Sequence, residues 1–325
     1  MRRSSHIGGL LVSLFLLLVA VGAVVYRQNL IDWWQLHNYS PPTEIVQLAD
    51  QGTVTPYARK VFYVARPAVE DSSHFNQHCN KQEEKTIVLG CYNGRYIYVF
   101  NVTDDRLDGV KQVTAMHEML HAAYDRLSSK ERDRINVLLE EQLAKIKDDE
   151  HINDLVAQYR KSEPKEIDNE LHSILGTEVR DLTPELEEYY SKYFSNRKAV
   201  VGFAEQYEGI FKQSQKEISA IDAQLADLKE KIDANKSALD ADYAVLEADS
   251  QRMEQLRDSS DVEAYNALVP SFNAKVQAYN AKATSTKQMI AQYNNLVEER
   301  NNKEAAHNNL ASGLNSNLKT APAQN

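Results

Sequence analysis

Cysteine is nearly absent. Cys79 and Cys91 are the only two in 325 residues and no Cys-x-x-Cys occurs, which argues against a thiolate-built metal site. No dense basic patch relieves the formal charge of −10, which argues against nucleic acid as a partner. Residues 7–25 contain no charged side chain, and Ser13 alone interrupts their apolar and glycine run. Beyond about Gly202 almost all glycine disappears. A composition that shifts this sharply along the chain excludes one small domain and calls for two or three units plus an anchor.

The uncharged run is just long enough, at about 1.5 Å per residue, to cross a bilayer core of roughly 30 Å. Arg2 and Arg3 precede it and Trp33 and Trp34 follow, so the N-terminus is expected in the cytoplasm and the bulk of the chain outside it, as a single-pass membrane protein. A cleaved signal peptide is the rival, with small residues around Ala20-Val21-Gly22. The run exceeds the length usual for a signal core, which favours retention. In an oxidising compartment the two cysteines most simply form one disulfide, Cys79 to Cys91.

After Pro41-Pro42, residues 61–69 read as a strand with Pro67 near its end. Residues 86–92 and 95–100 flank Asn93-Gly94, which predicts a β-hairpin closed by a type I′ turn. From Val110 the apolar spacing becomes helical through Val113, Met116 and Leu120, and helices continue to about Arg197. Ser128 or Ser129 can cap one of them, and Gly176 and Pro184 mark breaks. Further on, Ile218, Ile221, Leu225, Leu228 and Ile232 open an a/d seam in which Asn235, Asp242 and Asp249 restrict the register. A second seam runs from Tyr265 to Val297, and the polar break at residues 257–261 makes the two an antiparallel helical hairpin with Pro270 in its second arm.

His117-Glu118-Met119-Leu120-His121 carries the chemistry. Histidines four apart project from one face of a helix and can hold a single ion, with Glu118 beside them as general base. The motif resembles the zinc helix of the zincin metallopeptidases, and the hairpin before it resembles their substrate-flanking edge strand. Asn169-Glu170-Leu171-His172-Ser173 is similar to the Asn-Glu-x-x-Ser segment by which the gluzincin branch supplies a glutamate ligand. That resemblance implies one zinc ion held by His117, His121 and Glu170, with Glu118 catalytic. Glu166 and Glu178, a turn or two away, are alternatives for the third ligand. The gluzincin segment continues with Asp four residues after the ligand, and here that residue is Ile174. The metzincin pattern is excluded, because residues 124 and 127 are Tyr and Leu. His172 and Tyr124 are the residues considered for a transition-state donor, while His74 and His78 read as plain loop residues.

The expected fold class is therefore α+β. It comprises a cytoplasmic tip and transmembrane anchor (residues 1–28), a linker (29–58), a zincin-like domain of short sheet plus active-site helices (59–200), a coiled-coil hairpin (201–314) and a disordered tail (315–325). The expected function is a membrane-anchored, extracytoplasmic zinc metallopeptidase acting on protein or peptide, with the hairpin serving a protein partner or self-association. The alternative is an envelope scaffold or adaptor whose metal site is structural or vestigial.

Overall fold

The computed structural model describes residues 4–79 and 88–317, and within them the chain is mostly helical, with a three-stranded sheet and a long helical hairpin. It divides into two compact units: residues up to 209 together with those from 310 onward, and residues 210–309.

In the first unit, helix α1 (Ser4–Val25) is followed by α2 (Arg27–His37). Among the described residues no single helix is long and apolar enough to cross a membrane; Val12–Gly22 and Arg27–His37 meet the length and composition together, bent by 68°. Asp32 ties α2 to the unit. It is 2% exposed and takes Arg126 Nη1 at 2.9 Å and Lys60 Nζ at 3.3 Å. Residues 29–58, expected as a linker, instead carry α2, α3 (Thr43–Gln51) and the start of α4 (Pro56–Val64). Ile45, Leu48 and Ala49 join the core from them.

The expected strand over residues 61–69 is also corrected. Thr55 accepts a cap bond from Ala58 N and Pro56 occupies the first turn, so α4 starts there. Ala58, Val61, Phe62 and Ala65 then repeat at helical spacing and are all buried. Only Ala68–Glu70 is strand, β1.

Strand β2 (Gly90–Tyr92) pairs antiparallel with β3 (Ile97–Phe100), and β1 pairs parallel with β3, giving the order β1-β3-β2. Part of the expected first hairpin strand, residues 86 and 87, lies outside the described residues. The turn differs from type I′, which needs positive φ at both central residues. Only Gly94 has it, at 84°, while Asn93 Oδ1 accepts from Arg95 N and Tyr96 N and so closes a four-residue loop through its side chain. Ile97 and Val99 are fully buried in the core, and Tyr98 and Phe100 alternate to the other face. There Phe100 meets Phe75 of α5 (Ser72–His78), and Tyr98 stacks on His78 at 4.1 Å. Cys79 and Cys91 form a disulfide that fastens the end of α5 to β2.

Helix α6 (Val110–Tyr124) runs through the middle of this unit, with 13 of its 15 residues buried, as a helix surrounded by other elements must be. Ser128 caps α7 (Ser129–Lys145) in a capping box with Glu131, and α8 (Glu150–Ser162), α9 (Ile167–Thr177) and α10 (Pro184–Tyr190) follow. The C-terminal carbonyls of α9 are satisfied from a distance. Arg197, 4% exposed, donates to the carbonyls of Leu175, Gly176, Val179 and Arg180 while its guanidinium pairs with Glu187. The far C-terminus returns to this unit, where Asn76 Nδ2 donates to the carbonyl of Ser316 at 2.7 Å. Residues 318–325 of the expected tail lie outside the described residues.

Helices α11 (Arg197–Asp258) and α12 (Val262–Gly313) form the hairpin, turning at Ser259–Asp261 where Ser260 has φ of 60°. In the second unit, Ile218, Ile221, Leu228 and Ile232 are buried along the seam. Asp242 and Asp249 are paired across it with Lys282 and Lys275, each at 2.5 Å. An acid in the seam with a lysine opposite fixes one antiparallel register, because any slip leaves both charges unmatched.

Candidate metal centre

Two consecutive turns of α6 bring His117 and His121 together, their ring centroids 4.8 Å apart. Helix α9 packs against α6 and delivers Glu170 between them. His117 Nε2 is 3.4 Å from Glu170 Oε2, and His121 Nε2 is 3.5 Å from Glu170 Oε1. Three ligand atoms thus lie within 4.8 Å of one another. Two ligands at zinc–nitrogen and zinc–oxygen distances of about 2.0 to 2.1 Å around a tetrahedral ion stand roughly 3.4 Å apart. The two histidine–glutamate separations, one to each oxygen of Glu170, are close to that edge length.

The electrostatics fit as well. The three side chains are 12%, 10% and 9% exposed. Burial pulls His117 and His121 down to about 4, with Glu170 opposing the shift at His121. Both imidazoles are therefore neutral at pH 7 and hold their lone pairs ready for a cation without releasing a proton. A buried carboxylate between neutral rings asks for positive charge.

Glu118 sits on the adjoining face of α6, 6% exposed, against β2. The contact depends on Gly90. A Cβ there would stand 2.7 Å from Glu118 Oε1 and 2.5 Å from Thr114 Cγ2, so only a bare backbone lets the strand approach. β2 is an edge strand of the sheet, so Glu118 lies beside a free strand edge among the described residues.

Of the carboxylates weighed as third ligand, Glu170 is the one brought to the histidine pair. Glu166 is exposed at the N-cap position of α9, and Glu178, at the C-cap position, joins His151 and Glu208 instead. The two side chains considered as transition-state donors are both engaged elsewhere. His172 is fully buried among Tyr124, Tyr189, Tyr190 and Tyr193, with Nε2 2.9 Å from the Tyr189 hydroxyl, and burial pulls it down to about 3. Two residues from Glu170 on a helix, it faces nearly the opposite way. Tyr124 donates to Asn136 at 2.9 Å, and Asn136 in turn donates to Asp168. His74 and His78 pair with Asp71 and Glu70 and stand outside the cluster.

Sequence reasoning missed Tyr159 of α8. Burial, and then the charges of Glu170, Glu118 and Glu178, hold its phenol protonated well above the usual tyrosine range. A tyrosine on an amphipathic helix looks like ordinary packing, and only the fold sets it among these acids.

No family model matches the chain, and no curated protein or solved structure matches it.

Proposed function

We propose that the first unit is a zincin-like metallopeptidase domain and that the protein is a membrane-anchored, extracytoplasmic zinc peptidase. The observation that carries this is the convergence of His117, His121 and Glu170, whose ligand atoms lie within 4.8 Å of one another, with Glu118 adjoining. Two histidines and one carboxylate leave a coordination position open, which is the catalytic arrangement of zinc, whereas structural sites are closed by four protein ligands. When bound, the ion supplies Lewis acidity and a water acidified toward neutrality.

The chain's own residues do the rest. Glu118 accepts a proton and returns it to the departing amine. The edge of β2 receives the substrate backbone as an added strand, and Gly90 keeps that edge against Glu118. The apolar residues 7–25 and the exposed Trp33 and Trp34, 64% and 70% accessible, support retention at a membrane face. The disulfide agrees with an oxidising compartment.

The test is Glu118→Gln in the full chain. Zinc content stays at one equivalent in the His117–His121–Glu170 centre, and cleavage of a mixture of unstructured peptides is lost. Cleavage at the wild-type rate by that variant overturns the assignment.

A further inference from the structure

The other end of α9 carries a second cluster of metal-ligating side chains. His151 near the start of α8, Glu178 at the C-cap position of α9 and Glu208 early in α11 each offer a ligand atom, all within 4.8 Å of one another. His151 Nε2 is 3.3 Å from Glu208 Oε1 and 3.9 Å from Glu178 Oε2. Three separate helices converge to make it.

Acidic groups crowd together on many surfaces without holding an ion, but these two are withdrawn from water. The Glu178 and Glu208 side chains are 10% and 13% exposed, while His151, at 43%, stands at the surface and gives access from solvent. Glu178 is the informative member. Nine-tenths buried and aimed into the cluster, its carboxylate accepts no hydrogen bond from the described side chains, and the imidazole at 3.9 Å is beyond hydrogen-bond reach. Leaving a buried carboxylate in that condition is costly unless a cation or a proton compensates it.

Burial and the neighbouring Glu208 push Glu178 up to about 7, against the pull of His151, and Glu170 adds to the rise. Tyr207, alongside, is held protonated by burial and by the same two glutamates. One imidazole with two carboxylates is a donor set for a first-row divalent ion of the zinc class. Calcium and magnesium take oxygen ligands instead.

We propose that His151, Glu178 and Glu208 form a second divalent-cation site of the zinc class, separate from the His117–His121–Glu170 centre. An ion held there joins the start of α8, the end of α9 and the start of α11. It does not depend on peptidase activity, and the two centres are separable by substitution.

The experiment is a zinc titration of the metal-stripped full chain by calorimetry, with metal analysis of the product. Wild type takes up two equivalents. His117→Ala/His121→Ala retains one, and zinc still raises its melting temperature. His151→Ala and Glu178→Gln each lose the second equivalent, by at least about tenfold in affinity, and keep the first. Because Glu178→Gln removes a buried charge, its metal-free form melts no lower than wild type, which separates loss of a ligand from loss of the fold. Wild type binding one equivalent that vanishes in His117→Ala/His121→Ala overturns the proposal, as does a second equivalent that survives in both His151→Ala and Glu178→Gln. A metal-free Glu178→Gln that melts higher at neutral pH, with no second equivalent in wild type, overturns it too and identifies the compensating cation as a proton.

Discussion

Replacing Gly90 by alanine isolates the contact that seats Glu118. The added methyl carbon would lie 2.5 Å from Thr114 Cγ2, 2.7 Å from Glu118 Oε1 and 2.9 Å from Glu118 Cγ. Ordinary contacts of that kind begin near 3.4 Å, so the strand and α6 must separate, or Glu118 must swing aside, by something under 1 Å. Overpacking of this size costs about 1 to 3 kcal/mol of stability. Its effect on chemistry is larger, since displacing a catalytic group by about 1 Å costs on the order of 100-fold in rate. The zinc ligands face Glu170 of α9, so zinc uptake by that centre is expected to be unchanged. The assay is peptide cleavage by Gly90→Ala beside zinc content and thermal unfolding, with Glu118→Gln as the inactive reference. Turnover equal to wild type in Gly90→Ala, with Glu118→Gln inactive, would refute the claim that the bare backbone at position 90 positions the base.

Removing the bridge with Cys79→Ser/Cys91→Ser opens a loop whose ends are 12 residues apart. Chain entropy puts the loss at about 3 kcal/mol, read as a lower urea midpoint; an unchanged midpoint contradicts it. Glu170→Gln removes the anionic ligand, and zinc affinity of the first centre is expected to fall by more than tenfold while the metal-free protein stays folded; retained affinity would mean another carboxylate closes that site. Acid should destabilise the metal-free protein. His117, His121 and His172 are held at about 4, 4 and 3, below the ordinary 6.5, so between those values the unfolded chain binds more protons than the folded one. Stability therefore rises with pH through that window and is lost as pH falls, and His172→Gln should flatten part of the slope of melting temperature against pH from 6.5 to 4. An unaltered slope in that variant would show that His172 titrates normally.

Several elements were legible because their signals are local. The histidine spacing on α6, a serine cap at residue 128 or 129, the break at Pro184 and the turn between α11 and α12 all follow from side chains within a few residues of each other. The disulfide was legible because the chain offers one pairing. Residues 61–69 resemble a strand in sequence because their side chains are β-branched and aromatic, while the decisive helix features, the Thr55 cap and Pro56, lie upstream of the apolar run. Residues 29–58 carry little local signal of structure, because α3 is only nine residues long and its burial comes from tertiary packing rather than propensity.

The His-Glu-x-x-His helix is a property of the sequence alone, because helical periodicity places both rings on one face whatever surrounds them. Which carboxylate meets those rings was not. Glu166, Glu170 and Glu178 share a stretch of chain and a chemistry, and only the packing of α9 on α6, with Arg197 satisfying the end of α9, turns Glu170 inward and sends Glu178 to His151. Tyr159 was likewise invisible until α8 folded beside the acids. Residues a few positions apart declare their geometry through the backbone they share, whereas residues on different helices meet only where burial of apolar surface decides how those helices pack.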